Sequence, residues 1–218
     1  MKLHLEILPE PQKQFWDDLA EAIPEHFVLY GGTAVALRLG HRNSVDFDFF
    51  SDHSLEFDHL LKVVPFLARA TVQVRKPNAA TVSMPMSSGD VKLSFFGGLS
   101  FGRVGNPDRV PGKVQLASAL DLLGTKLKTI HDRIEPRDYL DIEALLKSGL
   151  TLNQGLAAAR SLFGRALSPL DTAKAVGWFK DGDLDRKLSP STKAFLVEAS
   201  ANIDPRIDPL PIRAKTLS

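Results

Sequence analysis

The chain has 218 residues, 44% hydrophobic and 24% charged, which is enough to bury one good core with a helical extension or two small ones. It has no cysteine, which excludes disulfides and thiolate metal sites. The N-terminus MKLHLEILPEPQKQFWDD lacks a signal-type apolar core and no uncharged stretch is long enough to cross a bilayer, so a cytoplasmic protein with no membrane partner is expected.

The net charge of +1 argues against a dedicated nucleic-acid coat protein, but the charge is unevenly spread. Residues 1–100 carry 9 Lys and Arg against 12 Asp and Glu, whereas residues 101–218 carry 18 against 14. Carboxylates therefore collect early and cations late, a pattern that suits metal on one side of a cleft and polyphosphate or an RNA backbone on the other. Simple scatter in a chain of this size gives the same swing.

In chain order, Pro9 to Ile23 reads as a helix, with prolines near its first turn and Phe15, Leu19 and Ile23 at four-residue spacing. His26 to Tyr30 is a short apolar strand that runs into Gly31 and Gly32, after which Thr33 to Leu39 is helix-forming and stops at Gly40. Ser44 to Phe50 is a second strand, followed by a helix from Leu55 to Leu67, a hairpin of Ala70 to Arg75 and Thr81 to Met84, and a strand from Asp90 to Phe96. Gly97 to Gly112 is rich in glycine and proline, with a short strand expected only near Phe101. Helices follow from Ser118 to Arg133, with Leu120, Leu123, Leu127 and Ile130 as the buried stripe, and from Arg137 to Lys147. Further helices are expected over Leu152 to Phe163, Ser168 to Phe179 and Ser189 to Asn202, and loose order from Asp204 onward. The division expected is a core over 1–112 and a helical part over 113–218.

The chemistry concentrates at Asp46 and Asp48, which alternate with Val45, Phe47 and Phe49. On a strand, residues two apart share a face, so both carboxylates point one way and the three apolar side chains point into the core. Hard oxygen ligands at close range suit magnesium, which takes one or two carboxylates together with substrate phosphates. An exposed edge strand produces the same alternation without any metal. Gly31 and Gly32 stand where a strand hands over to a helix, so backbone N–H groups and the helix dipole can approach a phosphate, although a tight turn needs the same glycines. Lys92 shares a strand face with Asp90 and Ser94, and Lys126 shares a helix face with Leu122, Thr129 and Arg133. Each lysine suits a triphosphate, and each equally suits a solvated surface.

The segment GGTAVALRLGHRNSVDFDFF, in which thirteen residues separate the glycine pair from Asp-x-Asp, resembles the signature of the polymerase-beta-type nucleotidyltransferase superfamily. VKLSFF around Lys92, followed by DLLGTKLKTIHDRIEPRDYLDIEALL with Asp121, Lys126, Arg133, Arg137, Asp138 and Asp141, resembles the later motifs of the AbiEii-type nucleotidyltransferases, toxins of abortive-infection and toxin–antitoxin systems. The resemblance spans Phe27 to Leu146 and implies an α/β (α+β) nucleotidyltransferase fold, a mixed sheet flanked by helices and followed by an α-helical C-terminal part.

It further implies a magnesium-dependent transfer of a nucleoside monophosphate from a nucleoside triphosphate to an acceptor hydroxyl, with the 3′ end of a tRNA as acceptor and a cognate antitoxin as partner. The roles implied are Asp46 and Asp48 as ligands of two Mg2+ ions, with Gly31, Gly32 and Thr33 on the phosphates. Lys92, Lys126 and Arg133 would neutralise the triphosphate, and Asp141 would be a catalytic acid with Asp138 as a salt-bridge partner for Arg137 or Arg133. One departure stands out: Ser94 occupies the place of the third acidic residue usual in the superfamily, and Asp90, about 13 Å along the strand, cannot replace it. A catalytically inactive nucleotide- or partner-binding relative, and an aminoglycoside-type enzyme acting on a small hydroxylated substrate, are therefore the alternatives.

Overall fold

The computed structural model describes residues 2–164, 167–204 and 206–218. These fall into two compact units, Met1–Ser118 with Ala214–Ser218, and Ala119–Arg213.

The first unit is built on a mixed sheet of β1 (Val28–Tyr30), β2 (Asp46–Phe50), β3 (Thr71–Lys76), β4 (Ala79–Met86), β5 (Gly89–Phe96), β6 (Asp108–Arg109) and β7 (Gln115–Leu116), in the order β3-β4-β5-β2-β1-β7-β6. The pairs β2/β5 and β1/β7 are parallel and the others antiparallel, so this is the mixed α/β architecture expected from the sequence. One face of the sheet buries Phe47, Phe49, Leu93 and Phe95 with no exposure. Helix α1 (Glu10–Ala22) covers that face: Trp16 lies 6.1 Å from Phe47, and Phe15 meets Phe66 edge-on at 4.7 Å. Aromatic rings of this size each bury a large apolar area, and their edge-on and offset contacts add to it.

Helix α2 (Gly31–Leu39) starts directly at the end of β1 and stops at Gly40, whose φ of +65° is the left-handed conformation glycine adopts at little steric cost. The helix expected over Leu55 to Leu67 is shorter: α3 (Phe57–Val63) ends before Pro65, which cannot continue the hydrogen-bond ladder and opens a separate 3-10 turn, Pro65–Arg69. The glycine- and proline-rich segment holds one strand the sequence did not signal, β6, and a second, β7, follows just after it, whereas Arg103, near the expected strand, forms an isolated bridge to Ala214. Two-residue strands are too short to show periodicity, and β7 exists because Val114 and Leu116 are fully buried beside β1. The chain end is also more ordered than expected, since Leu217 is buried and its N–H donates to Asp52 Oδ1 at 3.2 Å.

The second unit is helical: α4 (Ala119–Asp132), α5 (Pro136–Lys147), α6 (Leu152–Phe163), α7 (Pro169–Val176), α8 (Leu184–Lys187) and α9 (Pro190–Ala201). Local chemistry sets the starts. Thr151 and Gln154 form a reciprocal capping box on α6, and Ser168 and Ser189 cap α7 and α9 with proline in the first turn. In α4, Leu122, Leu123, Leu127 and Ile130 are buried while Leu120 is only half-buried, so Leu122 takes the place expected of Leu120. No helix among the described residues is long and apolar enough to cross a membrane.

Candidate active site

The register of the sheet assembles the first unit's polar cluster. Asp46 lies opposite Lys92 and Asp48 opposite Ser94 across the parallel β2/β5 pair, while Asp48 faces Tyr30 across β1. Burial alternates along β2, with Phe47 and Phe49 fully inside and Asp46 and Asp48 half-buried on the other face. The valine at the head of this pattern differs from expectation: Val45 is 47% exposed because it precedes the strand and has no neighbour to cover it.

Two side chains fix the backbone that carries Asp46. Thr33, buried in the first turn of α2, donates its hydroxyl to the Asp46 carbonyl. That hydroxyl has one proton, so Ser44 must donate to Thr33 Oγ1 across 2.7 Å. From α1, buried Gln12 donates to the Val45 carbonyl at 2.9 Å. The Thr33 hydroxyl expected at a phosphate is thus committed to holding β2. Ser44 and Gln12 were missed in the sequence. Ser44 carried a usable signal, because it lies two residues before Asp46 and so shares its face.

Gly31 has a φ of +71°, and a Cβ built on it would meet Asp48 Oδ2 at 2.6 Å. The missing side chain is what lets the Asp48 carboxylate rest against the backbone at the start of α2, beside the positive end of the helix dipole. Gly32 follows in the same first turn, which has no acidic residue and no side-chain cap. Lys92 is 49% exposed on its side chain, with Nζ 4.0 Å from Asp46 Oδ1, close enough to offset the repulsion between carboxylates without locking onto either. Ser94 is buried beside Asp48 and accepts a long 3.4 Å hydrogen bond from Thr81, and Asp90 is occupied by the Ser83 hydroxyl at 3.0 Å. Two oxygen-bearing acids on one half-open strand face fit the hard, carboxylate-poor donor set that magnesium accepts when phosphates complete its shell. Among the described residues, no group of three or more His, Cys, Asp or Glu side chains has the arrangement to hold a metal ion.

Within the second unit, Lys126, Asp138 and Asp141 come together as a closed ionic cluster. Lys126 Nζ lies 2.7 Å from Asp138 Oδ1 and 2.6 Å from Asp141 Oδ2, with the lysine side chain 5% exposed and both aspartates fully buried. Arg133 grips Asp138 through two nitrogens, at 2.8 and 3.1 Å. Burial alone would raise the Asp138 carboxyl, but the Arg133 hydrogen bond and the Lys126 charge outweigh it and hold the group below the usual carboxylate range. Of the two partners expected for Asp138, Arg137 and Arg133, it pairs with Arg133, and Arg137 Nε lies 4.0 Å from Glu135 Oε2. Lys126, expected at a triphosphate, has its ammonium engaged by two carboxylates, and Asp141 is one of them.

The family model described as nucleotidyl transferase AbiEii toxin, type IV TA system, matches residues 15–208. The chain belongs to the AbiEii nucleotidyltransferase toxin family. Two solved structures share the AbiEii-family chain's fold. A candidate nucleotidyltransferase from H. pylori is 17% identical with a TM-score of 0.58, covering 87% of this chain and 92% of its own. JHP933 from Helicobacter pylori is also 17% identical, with a TM-score of 0.56 and coverage of 89% and 92%. Among curated proteins, none matches the chain. As an AbiEii-family member, the protein is a transferase of the nucleotidyltransferase type and a toxin of the type IV toxin–antitoxin class.

Proposed function

We propose that this AbiEii-family chain moves a nucleoside monophosphate from a nucleoside triphosphate onto an acceptor hydroxyl, with tRNA as the acceptor and a cognate antitoxin as its regulator. The observation that carries the reading is the placement of Asp46 and Asp48 on one face of β2, with Asp48 against the backbone of Gly31.

In this reading Asp46 and Asp48 hold magnesium. When bound, the metal supplies positive charge against the triphosphate and the leaving pyrophosphate. The first-turn N–H groups at Gly31 and Gly32 donate to phosphate oxygens. Lys92, mobile enough at half exposure to leave Asp46, turns its ammonium to the same phosphates. The acceptor hydroxyl loses its proton to solvent and its oxygen bonds to the α-phosphorus as the bond to the pyrophosphate oxygen breaks. Thr33, Ser44 and Gln12 keep the Asp46 backbone fixed while this happens, which matters because transfer of this kind depends on positioning and electrostatics. In the second unit, the ionic cluster of Lys126, Arg133, Asp138 and Asp141 braces α4 against α5.

Ser94 favours a second reading, in which the same face binds a nucleotide without turnover, because a serine beside Asp48 is a poor magnesium ligand. One experiment separates the two. Each radiolabelled nucleoside triphosphate is incubated with magnesium, total cellular RNA and either wild-type protein or Asp48→Ala. Transfer of label to RNA that the substitution abolishes is the expected result. Equal labelling by both proteins would overturn the site, and magnesium-dependent binding without labelled product would establish the second reading.

A further inference from the structure

At the ends of β1 and β2 remote from Asp46 and Gly31, the first unit carries a cavity of about 540 Å3 whose lining includes His26, Phe27, His53, Glu56, His59 and Lys113. The size falls within the range of small-molecule sites, and the composition, apolar walls with a few convergent polar groups, is the usual one. Three rings lie in sequence there. His26 is 4.5 Å from Phe27 and 4.7 Å from His53, the two imidazoles being nearly parallel at 13°. The series starts at fully packed Phe27 and ends at His53, whose side chain is 62% exposed. The exposed face of His53 is thus accessible to a further planar ring.

The charge around it points to the ligand's other end. Lys113 provides a standing cation, and His59 on α3 adds a further donor. His26 is held below the ordinary imidazole value by burial first and by His53 second, against the opposing charge of Asp52, whose carboxylate lies 4.0 Å from His53 Nε2. Glu56 accepts hydrogen bonds, which an amino group or hydroxyl on the ligand would donate.

We infer that this cavity is a second ligand site, separate from the carboxylate face, that takes a small anion with a planar heteroaromatic ring. The ring stacks on His53, the anionic group meets Lys113 and His59, and Glu56 reads a donor on the ring or its sugar.

Adenosine monophosphate is a suitable probe, with adenosine as the ring without the anion and inorganic phosphate as the anion without the ring. The full chain, labelled at its six histidines, is titrated with each while the imidazole resonances are followed by NMR. The nucleotide should shift His26, His53 and His59 saturably, leaving His4 and His131 still, and should bind about tenfold more tightly than either fragment. His53→Ala and Lys113→Ala alter exposed side chains and should each weaken that binding by about tenfold. Asp48→Ala should leave it unchanged, which separates this site from the proposed catalytic one. The absence of saturable shifts at millimolar nucleotide, equal effects from inorganic phosphate, or undiminished affinity in His53→Ala would each overturn the inference.

Discussion

A methyl group at position 31 would have to sit at a φ of +71° and 2.6 Å from Asp48 Oδ2. Gly31→Ala therefore costs backbone strain of about 1 kcal/mol in addition to a displaced carboxylate. Because the displaced group is one of the two proposed metal ligands, label transfer should fall by far more than stability does, a split that parallel denaturation and activity measurements would detect. Thr33→Val tests the neighbouring restraint. It preserves shape while leaving the Asp46 carbonyl and Ser44 hydroxyl without their buried partner, a loss of about 1–3 kcal/mol. A slackened Asp46 backbone should also lower transfer by about 10-fold to 100-fold. Undiminished activity in Thr33→Val would mean that the hydroxyl serves the fold alone.

Between elements, the strongest electrostatic link in the second unit joins α4 to α5 through Lys126. Lys126→Met removes the buried ammonium from Asp138 and Asp141 and should destabilise the protein by about 3–5 kcal/mol, measurable by denaturant titration. The same cluster sets an acid limit. The Asp138 carboxyl is lowered in the folded state, so its stabilisation is complete above the ordinary value of 3.8 and is lost as pH falls below it. Unfolding followed between pH 5 and pH 2 should show this loss in wild type and much less of it in Asp138→Asn. Sequence periodicity exposed most of these elements, because strands and helices with one buried face repeat every two or every 3.6 residues. It missed β6 and β7, whose two-residue lengths contain no period, and it overran α3, where Pro65 stops the helix. At the site, the shared face of Asp46 and Asp48 was readable from spacing alone, whereas the partners of Thr33 and Lys126 were not. Whether a threonine hydroxyl or a lysine ammonium turns to a ligand or to the protein depends on contacts distant in sequence, and both are committed inward here.

The chain as a whole is not two consecutive halves. The first unit comprises Met1–Ser118 together with Ala214–Ser218, so the second is an insertion between a sheet and its own last segment. The returning segment is held by paired hydrogen bonds between Arg103 and Ala214, by Arg103 Nε donating to the Thr216 carbonyl, and by Leu217, 1% exposed with its N–H on Asp52. Asp52 lies just beyond β2, so this attachment steadies the end of the strand that carries Asp46 and Asp48. Burial of one leucine dominates the attachment, since the hydrogen bonds are few and largely exchange with water. Leu217→Ala should therefore destabilise the first unit by about 2–4 kcal/mol. In limited proteolysis, cleavage near residue 213 should precede global unfolding in the variant but not in wild type. If the variant resists the protease as well as wild type does, the segment is a passive tail, and the sheet holds its own strand ends without it.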